Sequence, residues 1–123
     1  MLAFLINPET ENIEVVEYDG DFRNIQQMIE ARLFTTVCIK YDEEKGISTD
    51  IYVDDEGMLD LQPTTKFFKH QDYIYPLAGK GLVLSGDTEG ESISPMISKE
   101  ELEKKISYMD MFEVRQYVMK EGI

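Results

Sequence analysis

Histidine occurs once in this chain, at His70, and cysteine once, at Cys38. A lone cysteine closes no disulfide within the chain and builds no structural zinc cluster. A lone histidine supplies no two-histidine metal site. Dependence on disulfides is therefore not expected, which favours a reducing cytoplasm. Long hydrophobic runs are lacking too, since none approaches the roughly 18 residues a membrane span needs. The apolar start, Met1 to Ile6, has no basic flank and no cleavage signature, so a signal peptide is not expected. Basic residues are scarce, with 12 Lys and Arg against 25 Asp and Glu and a net charge of −13. Such a surface repels phosphate, and direct nucleic-acid binding is not expected. Nucleophile elbows, internal repeats and heptads are missing.

What is present suits one globular domain. The chain has 123 residues, 42% hydrophobic and 11% aromatic, enough for one modest core. The acid is unevenly spread. Residues 98–123 carry six acids and five bases (net −1), whereas residues 1–97 carry nineteen and seven (net −12). An acidic body of this kind suits solubility, or an acidic mimic of a phosphate backbone that occupies a DNA-binding protein.

The pattern predicts a hairpin over residues 2–18, broken by the Asn7-Pro8 turn. Asp21 caps a helix over Phe22–Ala31, with Phe22, Ile25, Met28 and Ile29 on one face. The β-branched run Thr35–Tyr41 predicts a strand, paired antiparallel with Ile47–Val53. Its position among apolar neighbours predicts that Cys38 is buried in a central strand and inert to thiol reagents. Gly81–Ser85 is a short apolar strand that Ser92–Met96 can pair. Ser98 and Glu101 form a capping signal. The apolar positions from Leu102 to Val118 then change phase, which predicts one bent helix or two consecutive ones ending near Gly122. Two out-of-phase stripes need more than one burial surface, the sheet or a second copy, so a homodimer is one expectation. The sum is an α+β fold, a mostly antiparallel curved sheet with one internal helix and a C-terminal helical segment.

The acidic turns Asp54–Gly57 and Asp87–Glu91 do not have calcium-loop spacing, and hairpin turns account for them. "PLAGKG" before Leu82 lacks the spacing and hydroxyl of a nucleotide phosphate loop. Gly79 and Gly81 read instead as a turn that delivers a buried strand. The surrounding segment is nevertheless distinctive. From Gln62 to Gly81, Lys66, Lys69, Lys80 and His70 face a single acid, Asp72, with aromatic residues interleaved. Lys66, Phe68, Lys69, His70, Tyr73, Tyr75, Gly79, Lys80 and Gly81 are therefore the candidate ligand-binding residues for a small anion such as a nucleotide. No catalytic residue, metal ligand or cofactor is assigned.

The motifs "LINPETENIEVVEYDGDFRNIQQMI", "DIYVDDEGML" and "YPLAGKGLVLSGDTEGESISPMIS", in this order, resemble a family of small phage and bacterial proteins known as a domain of unknown function. The resemblance covers a core of about residues 1–107 and leaves 108–123 as a C-terminal helical extension of the same domain. It implies a phage or mobile-element context and carries no activity with it. Three readings stand together. One is a non-enzymatic accessory protein that binds a host or defence protein in the cytoplasm, as an acidic mimic. Another is a small-molecule binder using residues 66–81. The third is an uncharacterised enzyme.

Overall fold

A computed structural model describes residues 1–123. It is an α+β fold built on antiparallel pairing. Strands β1 (Leu2–Asn7) and β2 (Asn12–Glu17) form the first hairpin, and helix α1 (Phe22–Ile29) follows. Strands β3 (Phe34–Asp42) and β4 (Ile47–Asp54) form the second hairpin. After an irregular stretch come β5 (Phe67–His70), β6 (Leu77–Ala78), β7 (Gly81–Gly86) and β8 (Ser92–Ile93). Helix α2 (Lys99–Lys105), strand β9 (Ile106–Met109) and helix α3 (Met111–Glu121) complete the chain.

The larger sheet runs β2-β1-β7-β4-β3, and β8 pairs with the end of β7 that β1 leaves free. The smaller sheet runs β6-β5-β9. Strands β1 and β7 carry apolar residues on both faces because both faces are covered. Ala3, Leu5, Leu82 and Leu84 pack under Ile25 and Ile29 of α1. Ile6, Val83 and Ile51 pack on the other side against Phe68 of β5 and Leu102 of α2. Helix α3 lies on the outer side of the small sheet, where Val114 meets Phe67 and Ala78. The layers are thus helix, sheet, small sheet with helix, and helix.

Helix ends follow their caps. The Asp21 side chain accepts from the Arg23 amide, Ser98 from Glu101, and Asp110 from Glu113 in a reciprocal capping box. The C-terminal region is two helices, as one of its expected forms, but a strand separates them. Residues Ile106–Met109 pair with His70–Phe67.

Cys38 departs from expectation. Strand β3 is an edge strand and Cys38 is exposed. The β-branched run did signal a strand, but threonine tolerates exposure, and only Val37 and Ile39 face the core. Cys38 lies opposite Asp50, on the sheet face that carries α1. That helix packs over β4 and β7 and stops short of β3 beyond Phe34.

Candidate functional site

The segment 62–81 divides by strand alternation. On β5, Phe67 and Lys69 face α3, while Phe68 and His70 face the large sheet. Phe68 is fully buried, so its ring offers no stacking surface. Gly81 exists to receive that ring, because a Cβ there would stand 2.6 Å from Phe68 Cζ and 2.8 Å from Ile51 Cγ2. Gly79 has φ +81° and turns β6 into β7. The "GKG" element is a packing and turning device. Tyr73 is half-buried and meets the exposed Tyr75 edge-on, with centroids 5.7 Å apart.

The three lysines do not converge. Lys66 lines a cavity of about 170 Å³ with Glu9, Glu11, Asp110 and Glu113. Lys69 Nζ donates to the His70 carbonyl at 3.0 Å and lies 5.7 Å from the Tyr117 ring centroid. Lys80 Nζ pairs with Glu30 at 2.9 Å, at the end of α1. Each cation answers a different neighbour: the start of α3, the Tyr117 ring and Glu30.

His70 is 2% exposed, and its Nδ1 accepts the Asp72 amide N–H at 3.0 Å. Burial lowers its pKa below the ordinary 6.5, nearby Lys105 and Lys69 lower it further, and Asp72 works against them. A small cavity of about 150 Å³ opens beside it, lined also by Ile39, Lys40, Ile97, Glu101, Leu102 and Lys105. Lys40 and Lys105, supplied by β3 and α2, are the cations that line this cavity with His70. Linear reading missed them because they are distant in sequence from residues 62–81.

A second arrangement forms at the end of the large sheet nearest the N-terminus. Register places Leu2 beside Glu17 and Ser48 beside Gly86, so three acidic turns leave the sheet at this one end. They are Glu17–Asp21, Asp42–Gly46 and Asp87–Glu91. The last two touch, since a Cβ on Gly46 would stand 2.6 Å from Thr88 Cγ2. The aspartates build the turns. Asp42 accepts the amides of Glu44 and Lys45, and Asp87 those of Glu89 and Glu91. Asp19 accepts the Asp21 amide and the Asn24 side chain, which holds its carboxyl below the usual range. Arg23 does the same for Asp21 through hydrogen bonds from its side chain and amide. The glutamates Glu43, Glu44, Glu89 and Glu91 make no side-chain ion pair.

Between the first and last of these turns lies a cleft of about 320 Å³ with an apolar floor of Met1, Tyr18, Phe22, Ile25, Phe34 and Tyr52, rimmed by Gly20, Gly90, Glu91 and Ser92. The 42–46 turn does not line it but touches the last of them. Phe22 is 61% exposed, although it shares the spacing of the buried Ile25 and Ile29. The helical spacing placed Phe22 on the buried face with Ile25, Met28 and Ile29, so its exposure, and with it this cleft, is a departure that the sequence did not signal.

A fourth concavity of about 630 Å³ separates the 58–63 stretch from α3 and is lined by Met58, Leu61, Met111, Val118 and Met119, among others. Val114 is buried against the small sheet, whereas Phe112 and Met119 stay exposed. No three His, Cys, Asp or Glu side chains gather as metal ligands, and no helix is long and apolar enough to cross a membrane.

Residues 1–113 match the family model described as domain of unknown function (DUF3846), and the chain belongs to that family. No curated protein and no solved structure matches. The matched region ends inside α3, so it includes β9 and the first turn of the C-terminal helix.

Proposed function

We propose that this member of the family is a non-enzymatic binding protein, a phage or mobile-element accessory that engages a host or defence protein in the cytoplasm. The observation that carries this reading is an apolar cleft with Glu91 on its rim, set beside three acidic turns at one end of the large sheet. Its partner is a protein segment rich in lysine or arginine that also bears an apolar side chain. Complementary charge steers encounter and sets specificity, while a buried apolar anchor supplies most of the affinity. Phe22 and Tyr52 floor a pocket suited to such an anchor. Glu43, Glu44, Glu89 and Glu91 are free to meet the basic groups. Partners of this chemistry include surfaces that otherwise hold nucleic-acid phosphate, which is the mimic reading in concrete form.

The test is calorimetric titration with a helical lysine–leucine peptide, with oligolysine of equal charge as the control. The aspartates hold the turns, so the glutamates are the residues to change. A variant with Glu43, Glu44, Glu89 and Glu91 replaced by glutamine should lose at least about tenfold in affinity, or ~1.4 kcal/mol. Replacing Glu9, Glu11, Glu100 and Glu103 by glutamine alters net charge equally but elsewhere, and should leave binding nearly unchanged. Equal losses in the two variants, or equal binding of oligolysine, would contradict the proposal.

A further inference from the structure

We infer that the cavity between β3, β5 and α2 binds a small carboxylate through the Nε2–H of His70 and the ammonium groups of Lys40 and Lys105, with its short chain against Ile39, Ile97 and Leu102. Three separate features build the site.

The first is a tautomer. A backbone amide can only donate, so the Asp72 N–H fixes Nδ1 of His70 as an acceptor. The proton of the neutral ring therefore sits on Nε2. Nε2 has no partner within the protein, yet no fully enclosed side-chain polar atom lacks one. Nε2 thus reaches the cavity that His70 lines. A ring nitrogen that carries hydrogen cannot ligate a metal ion. It calls for an acceptor.

The second is a bulge. Cys38 pairs with Asp50 and Lys40 with Thr49, which leaves Ile39 as an extra residue in β3. Strict alternation would place Lys40 on the outer face with Cys38. The bulge instead turns Lys40 to the inner face that the buried Thr49 occupies.

The third is α2, whose burial of Leu102 brings Glu101 and Lys105 to the cavity mouth. Both lysines have only long ion pairs, 3.8 Å from Lys40 to Glu101 and 3.7 Å from Lys105 to Asp72. An incoming anion can therefore exchange with these carboxylates at small loss.

Size and charge select the ligand class. A volume near 150 Å³ equals the share of about five waters, well under the 300 Å³ or more of sites for drug-sized ligands. A four-carbon acid fills this space, whereas most of a nucleotide would lie outside it. Glu101 disfavours a dianion, and three aliphatic side chains favour a ligand with an apolar chain.

The experiment is an NMR titration of the whole chain that follows the His70 ring nitrogens, with butanoate, butylammonium and inorganic phosphate as separate probes. Butanoate should give a saturable shift at Nε2 and leave Nδ1 as the acceptor. The exposed pair Lys40→Met and Lys105→Met, checked for an unchanged melt, should raise the Kd for butanoate at least about tenfold. Replacing Glu43, Glu44, Glu89 and Glu91 by glutamine should not change it, which separates this site from the acidic cleft. Absence of a saturable shift up to about 10 mM butanoate overturns the inference. So does an unchanged Kd in the double variant, an equal response to butylammonium, or tighter binding of phosphate.

Discussion

Gly81 and Gly79 sit two residues apart and resist substitution for different reasons. An added methyl group at Gly81 would enter the Phe68 ring and Ile51, and Gly81→Ala should cost about 1–3 kcal/mol by overpacking. Gly79 has open space around it but a positive φ, so Gly79→Ala should cost about 1 kcal/mol through backbone strain. Lys80→Ala removes an ion pair whose Glu30 partner is mostly exposed and should cost about 0.5 kcal/mol. Chemical denaturation of the three variants checks the order, and a Lys80 variant weaker than both glycine variants would contradict it. These roles were legible in the sequence, because two glycines before an apolar strand imply a tight entry. The burial of His70 was not legible, because a polar-looking "KHQD" gives no sign that a β5 partner strand and α2 cover it. Its folded pKa lies below its unfolded value. Stability from this group is therefore full above about pH 6.5 and falls as pH drops toward the folded pKa, with a slope of at most about 1.4 kcal/mol per pH unit. His70→Asn keeps an acceptor for the Asp72 amide and should lose that slope between pH 7.5 and 5.5. An identical slope in wild type and variant denaturation midpoints would remove His70 as its source.

At the scale of elements, strands and caps were readable and neighbours were not. An apolar run, an alternating run and a β-branched run with its antiparallel partner located β1 through β4, and Asp21 and Ser98 marked helix starts. The four residues of β9 escaped because their apolar spacing continues that of the flanking helices. Only the free edge of β5 makes them a strand. Edge position also escaped, and with it the exposure of Cys38. Partial desolvation, and then the Asp50 carboxylate, push this thiol above its ordinary pKa. The native protein should nonetheless be labelled to completion by an aromatic disulfide reagent, slowly near pH 7 and faster as pH rises. Labelling only after denaturation would restore the buried reading. Helix α3 covers Phe67, which is fully buried. Truncation after Met109 would uncover that ring and open the Tyr117 hydroxyl to Ile74 carbonyl bond of 2.7 Å. The truncated chain should therefore melt lower, and an unchanged melt would show that α3 is not part of the core.

Over the whole molecule, charge and topology act together. A net charge of −13 was evident from composition, but its gathering at one end depends on which strands lie side by side. The turns at residues 17–21, 42–46 and 87–91 are remote in sequence and meet only because β7 sits between β1 and β4. Lys66, Lys69 and Lys80 show the opposite case, since they are near in sequence and are carried to different neighbours by β5, β6 and the turn after them. Like charges held close repel, so the melting temperature should rise as salt increases from about 0.01 to 0.1 M, over which the screening length falls from roughly 30 to 10 Å. A melt independent of salt would mean that the acidic turns are not strained by their own charge. The binding surface proposed above is this end of the sheet, and amide chemical-shift mapping with the lysine–leucine peptide locates the contact residue by residue. Saturable shifts are expected at Gly20, Phe22, Gly46, Thr88 and Gly90, with little change along α3. Shifts centred on Met58, Met111 and Met119, or spread evenly over every acidic residue, would contradict it.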